Sequence, residues 1–152
     1  MKKILIFMAI LFLSISVNVK ADSSSVRVSV YYVPDVYYNY KKDGMIYWGQ
    51  LGYIRADKQL AYCLDILTNI TTDTYFKGEI SNEIKEDMIL TSYFGFEYGK
   101  IGGFAYYAAA QQMIWKQMGI DVYFTDQSMG KGNIIDLSDI ISIIEERIKE
   151  YK

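Results

Sequence analysis

Hydrophobic and polar positions change their period halfway along this chain. From Val26 to Tyr32 they alternate, with Val26, Val28, Val30 and Tyr32 set against Arg27 and Ser29. A period of two marks a strand with one buried face. The only proline, Pro34, is expected to break that run, which Val36 to Tyr40 then continues. Lys41-Lys42-Asp43-Gly44 has the composition of a hairpin turn. Met45 to Ile54 reads as a second, aromatic strand in which Gly49 and Gly52 suggest bulges or close backbone approach. Leu60 to Ile66 reads as a third. Its alternation puts Ala61, Cys63 and Asp65 on one face and Leu60, Tyr62, Leu64 and Ile66 on the other.

The second half has helical spacing. Ser81 is the expected N-cap of a helix over Asn82 to Phe94, ended by Gly95. A glycine-rich loop (Gly95, Gly99, Gly102, Gly103) leads to a second helix from Phe104 to Met118, stopped by Gly119. Ile120 to Phe124 reads as a short strand and Thr125 to Asn133 as a polar loop. Asp136 caps a last amphipathic helix with the inner stripe Leu137, Ile140, Ile141, Ile144 and Ile148. Strands first and helices second predict an α+β domain, with an N-terminal antiparallel sheet or sandwich portion packed against a C-terminal helical portion.

The N-terminus changes where this domain is expected to work. Met1-Lys2-Lys3 is basic, Ile4 to Ile15 is apolar apart from Ser14, and Val19-Lys20-Ala21 resembles a small-residue cleavage site. Residues 1–21 therefore read as a secretory signal peptide, too short for a membrane span, and 22–152 as a single exported domain. Such a product would be freely secreted or part of a longer surface protein. Losing Lys2, Lys3 and Lys20 leaves 13 basic against 18 acidic residues, a net charge of −5. That balance points away from nucleic acid and anionic membrane surfaces. Fifteen tyrosines suit half-buried strand positions as well as exposed binding surfaces. Asn69-Ile70-Thr71 fits a glycosylation sequon.

Composition then narrows the chemistry. Cys63 is the only cysteine and there is no histidine. An exported lone thiol invites stray oxidation unless it is buried or chemically committed. Without histidine a Cys-His protease or transglutaminase mechanism is excluded, and so are the usual zinc sites. Asp121 and Asp126 lack calcium-loop spacing, and Gly130-Lys131-Gly132 lacks the flanks of a phosphate loop. No metal and no cofactor is expected. On the second helix, Gln111 shares an apolar face with Phe104, Tyr107, Ala108, Ile114, Trp115 and Met118. An amide there needs partners or costs about 1–3 kcal/mol. Gln112 is turned toward Ala105, Ala109 and Lys116. Ala108-Ala109-Ala110 lets another segment approach closely just before Gln111.

Tyr62-Cys63-Leu64-Asp65 and Ala110-Gln111-Gln112-Met113-Ile114-Trp115 together resemble the two signature elements of the thioester domains of Gram-positive bacterial surface adhesins. Leu90-Thr91-Ser92-Tyr93-Phe94-Gly95-Phe96 is similar to the aromatic-glycine stretch that precedes the glutamine motif in that family. The resemblance covers Tyr47 to Trp115 and departs at Ala110, where the family usually shows threonine. It implies an internal thioester between Cys63 and Gln111, with Tyr62, Asp65, Tyr93, Tyr107 and Trp115 in support, and Tyr93, Phe94, Tyr107 or Trp115 shielding the bond. It also implies a monomeric virulence factor that captures a lysine amine of a host surface or matrix protein covalently. Such a domain is a single-turnover binder and not an enzyme. Two other readings compete. One is a Tyr-rich module that binds host protein or glycan non-covalently and keeps Cys63 inert and buried; the other is a structural spacer of a surface stalk.

Overall fold

The computed structural model describes residues 25–66, 74–77 and 85–152. The expected signal peptide, the Asn69 sequon and the Ser81 cap with the helix start at Asn82 lie outside these residues. The architecture is α+β: among the described residues, one antiparallel sheet from the first half, with β5 joining it from the second half, and three helices. The strands are β1 (Ser25–Lys42), β2 (Met45–Ala56), β3 (Gln59–Ala61), β4 (Thr74–Lys77) and β5 (Val122–Thr125). The helices are α1 (Glu86–Gly102), α2 (Phe104–Gln117) and α3 (Ser138–Tyr151). β1 is the spine. Along one edge it pairs with β2, and along the other with β4 at Ser25–Val28 and β5 at Tyr37–Tyr40. Among the described residues no helix is long and apolar enough to cross a membrane.

The β1–β2 hairpin closes through Asp43-Gly44, flanked by the pair Lys42 and Met45. Both turn residues have positive φ (51° and 77°), the backbone that matches the right-handed twist of the strands it joins. Pro34 does not end the strand. The register jumps between Tyr32 and Tyr37, so Val33–Val36 bulge out of the ladder. The proline's missing N–H and the positive φ of Asp35 (54°) are accommodated where no ladder bond is needed. The Gln50 amide ties the bulge down by donating to the Val33 carbonyl (3.0 Å).

Two expected boundaries move. The third strand ends at Ala61 and does not reach Ile66, so the two-faced alternation expected for Tyr62–Ile66 does not apply. The first helix runs through Gly95 and on to Gly102. Gly95 lacks the positive φ that stops a helix; Gly103 has it (70°) and separates α1 from α2. Gly95 instead allows close packing. A Cβ there would overlap Ala110 of α2 and lie 2.9 Å from the Tyr62 hydroxyl. The same contact accounts for an alanine at 110, because threonine would push two more heavy atoms into α1. α2 ends as expected before Gly119 (φ 81°), and Asp136 accepts the Ser138 N–H (2.9 Å) at the start of α3. Tyr107, the alanines 108–110, Gln111, Ile114 and Trp115 are all buried, which makes α2 the central helix of the core.

Candidate functional site

The site forms where the chain leaves the sheet after β3. In the ladder, Ile54 stands opposite Ala61. The Tyr107 hydroxyl enters between them, accepting from the Ile54 N–H (3.4 Å) and donating to the Ala61 carbonyl (3.2 Å). Burial pushes the phenol's pKa up, so it keeps its proton and remains a donor. One turn further along α2, Gln111 continues the substitution. Its Oε1 accepts from the Cys63 N–H (2.8 Å) and its Nε2 donates to the Cys63 carbonyl (2.7 Å). The side-chain amide thus bonds both backbone groups of one residue, as a neighbouring strand would in a hydrogen-bonded antiparallel pair. Because an N–H requires an acceptor and a carbonyl a donor, the amide has only one satisfactory orientation. Gln111 is 1% exposed, and both its polar atoms are satisfied by Cys63.

A cavity of about 180 Å³ opens beside this pair. Cys63 and Asp65 line it from the segment after β3, Gln111 and Trp115 from α2, and Tyr38, Gly49 and Gly52 from the sheet. The Cys63 thiol donates to the Asp65 carbonyl (2.8 Å). Burial raises the thiol's pKa and the nearby Asp65 charge adds to the shift, so the resting sulfur is protonated at neutral pH. Asp65 itself is exposed, and among the described residues it is the only charged one in the lining.

Most of the expected supporting residues converge here, though in unequal roles. Tyr62 stacks on Tyr107 (5.0 Å, 16°), and Tyr107 also meets Tyr53 (4.8 Å). These rings clamp the residue before Cys63. Trp115 packs against Tyr38 (5.3 Å) at the cavity wall, and its buried indole N–H has no acceptor among the described residues. Tyr93 is elsewhere. It is 58% exposed in a separate, largely apolar groove with Leu60, Leu64, Met88 and Ile89, and does not cover Cys63. Phe94 is a core residue beside Tyr93 and Tyr151. Gln112 is likewise apart, donating to the Val122 carbonyl of β5 (2.6 Å).

Tyr38 is the wall residue that the sequence conceals among its many tyrosines. Its ring crosses β2 at Gly49, where a Cβ would overlap the phenol, and its hydroxyl donates to the Ile66 carbonyl (3.4 Å). Gly49 was the available signal, since a glycine inside an aromatic strand marks close approach. Among the described residues no group of three or more acidic, cysteine or histidine side chains gathers to hold a metal ion. Comparison of the chain with protein-family models, with curated proteins and with solved structures finds no match.

Proposed function

We propose that this domain joins Cys63 Sγ to Gln111 Cδ in an internal thioester, and that a secreted or cell-surface adhesin uses the bond to capture a lysine amine of a host protein. The observation that carries the reading is the seating of the Gln111 carboxamide on the backbone of Cys63, beside that residue's own thiol. The Cys63 N–H points at Oε1, the atom on which negative charge develops when the carbonyl carbon is attacked. Sulfur adds to Cδ, the Cδ–Nε2 bond breaks, and the thiol proton leaves on nitrogen as ammonia. Holding both groups in place makes the step intramolecular, worth up to about 7–11 kcal/mol in ideal geometry. A partner amine then attacks Cδ, forms an amide and returns the proton and electron pair to Cys63 as thiol. The gain for adhesion is a bond with no off-rate, beyond the ceiling of non-covalent affinity.

Intact mass tests this directly. The protein should weigh one ammonia less than its sequence, Cys63→Ala should restore the full mass, and methylamine should add once to the wild type. Full sequence mass in the wild type, with Cys63 freely alkylated, would falsify the proposal. The freed thiol carries its own expectation. After methylamine opening, iodoacetamide should modify Cys63 slowly at neutral pH. The rate should still climb above the ordinary thiol midpoint of about 8.5, because burial holds the pKa up. Alkylation rates across a pH series check it; a midpoint below the ordinary value contradicts the described environment.

A second reading, non-covalent binding by exposed aromatics, is favoured by Tyr31, Tyr32 and Trp48 standing open on the sheet. It requires an unmodified mass.

A further inference from the structure

We infer that the target lysine arrives on an extended polypeptide segment of the partner, which adds to the outer edge of β2 as one more strand. The inference rests on the thioester reading and specifies its substrate. β1 covers one edge of β2 along most of its length, whereas β3 covers the other only at Ile54–Ala56. Among the described residues nothing pairs with that outer edge from Met45 to Tyr53.

The hairpin sets the phase of the open edge. With a two-residue turn, Lys42 and Met45 form a hydrogen-bonded pair, as do Tyr40 with Tyr47 and Tyr38 with Gly49. Ile46, Trp48, Gln50 and Gly52 therefore send their N–H and C=O groups outward. Ile54, next in the same phase, sends its N–H outward to the Tyr107 hydroxyl. Only another extended backbone matches such a row of alternating donors and acceptors, which is the chemistry of strand addition.

Exposed edges are ordinarily guarded by lysine, proline or a bulge. Met45–Tyr53 contains no charged residue and no proline, and its bulge lies on β1. Ile46 is 50% and Trp48 45% exposed. The edge also leads to the site, because Gly49, Gln50 and Gly52 line the cavity that holds Cys63 and Gln111. A strand docked about 4.8 Å outside β2 would run past the cavity mouth, where a lysine side chain could turn in.

The test uses the wild-type domain and three probes: a short threonine-valine peptide with one central lysine, the same peptide N-methylated at alternate backbone positions, and Nα-acetyl-lysine methylamide. Mass spectrometry follows covalent capture. The unmodified peptide should react about tenfold or more faster than either other probe, the effect of raising the local amine concentration. During binding, the amides of Ile46, Trp48 and Gln50 should gain protection from hydrogen exchange. Equal rates for the peptide and its N-methylated form overturn edge docking while the ammonia deficit leaves the thioester standing. Absence of that deficit removes both. A domain that dimerises with these amides already protected also overturns the proposal, since the edge then belongs to a second copy.

Discussion

Gln111→Ala and Cys63→Ala are both expected to abolish amine capture and to lose the thioester crosslink, but Gln111→Ala should be the less stable of the two, because only Cys63→Ala keeps the carboxamide on the backbone of residue 63. The two variants part because the bonds that Gln111 makes run to the backbone of residue 63 and not to its thiol. Removing the amide strips partners from one N–H and one carbonyl. It also leaves a void beneath a helix residue that is 1% exposed. Unsatisfied buried groups cost about 1–3 kcal/mol each, and water entering from the neighbouring cavity offsets part of that. Relative to Cys63→Ala, a net loss of about 2–4 kcal/mol follows, a large share of the ~5–15 kcal/mol typical of a domain. At about 2–4 °C per kcal/mol the melting temperature should fall by roughly 10 °C. Cys63→Ala keeps every one of those backbone bonds. Thermal melts and mass spectrometry on both variants check the pair of outcomes. Equal destabilisation would mean that the amide is not seated on the Cys63 backbone as described.

Gly95→Ala is expected to lower stability, against the direction that helix propensity alone indicates. In an exposed helix interior, glycine to alanine adds about 1 kcal/mol. Here the added methyl would overlap Ala110 Cβ, so α1 and α2 must part, and it also presses on the Tyr62 hydroxyl. Overpacking of this kind costs typically ~1–3 kcal/mol. The net effect should be a loss of up to about 2 kcal/mol, and Gly95→Leu should lose more. Since Tyr62 precedes Cys63 and stacks on Tyr107, thioester formation should slow alongside. A melting temperature that rises in Gly95→Ala would contradict the close α1–α2 contact. Ala110→Thr crowds the same place from the other helix and should also destabilise.

Local chemistry accounts for what could be read early. Asp43-Gly44 makes a two-residue turn by its own backbone preferences, and the spacing of Tyr107, Gln111 and Trp115 places them on one helix face wherever that helix packs. Gly95 misled because two physical uses of glycine look identical in a sequence. One is a positive φ, needed at Gly103 and Gly119, and the other is the absence of a side chain, needed at Gly95. Pro34 misled because a strand tolerates proline once the ladder around it bulges. Tyr93 and Phe94 share a motif-like stretch with each other, yet the helix turns Phe94 into the core and leaves Tyr93 in a different groove from the thiol.

Short-range patterning and composition were enough for the α+β order, the hairpin, the register of α2, and a chemistry limited by one thiol and no histidine. Each of these follows from neighbours within a few residues or from composition. Packing of helix against sheet is what stops β3 at Ala61 and takes Cys63 out of the sheet. Those outcomes depend on the Tyr107 hydroxyl and the Gln111 amide taking positions in a ladder some 46 to 53 residues away in sequence. Periodicity reports which face a side chain occupies, but a hydrogen bond across that separation exists only once helix and sheet are packed together.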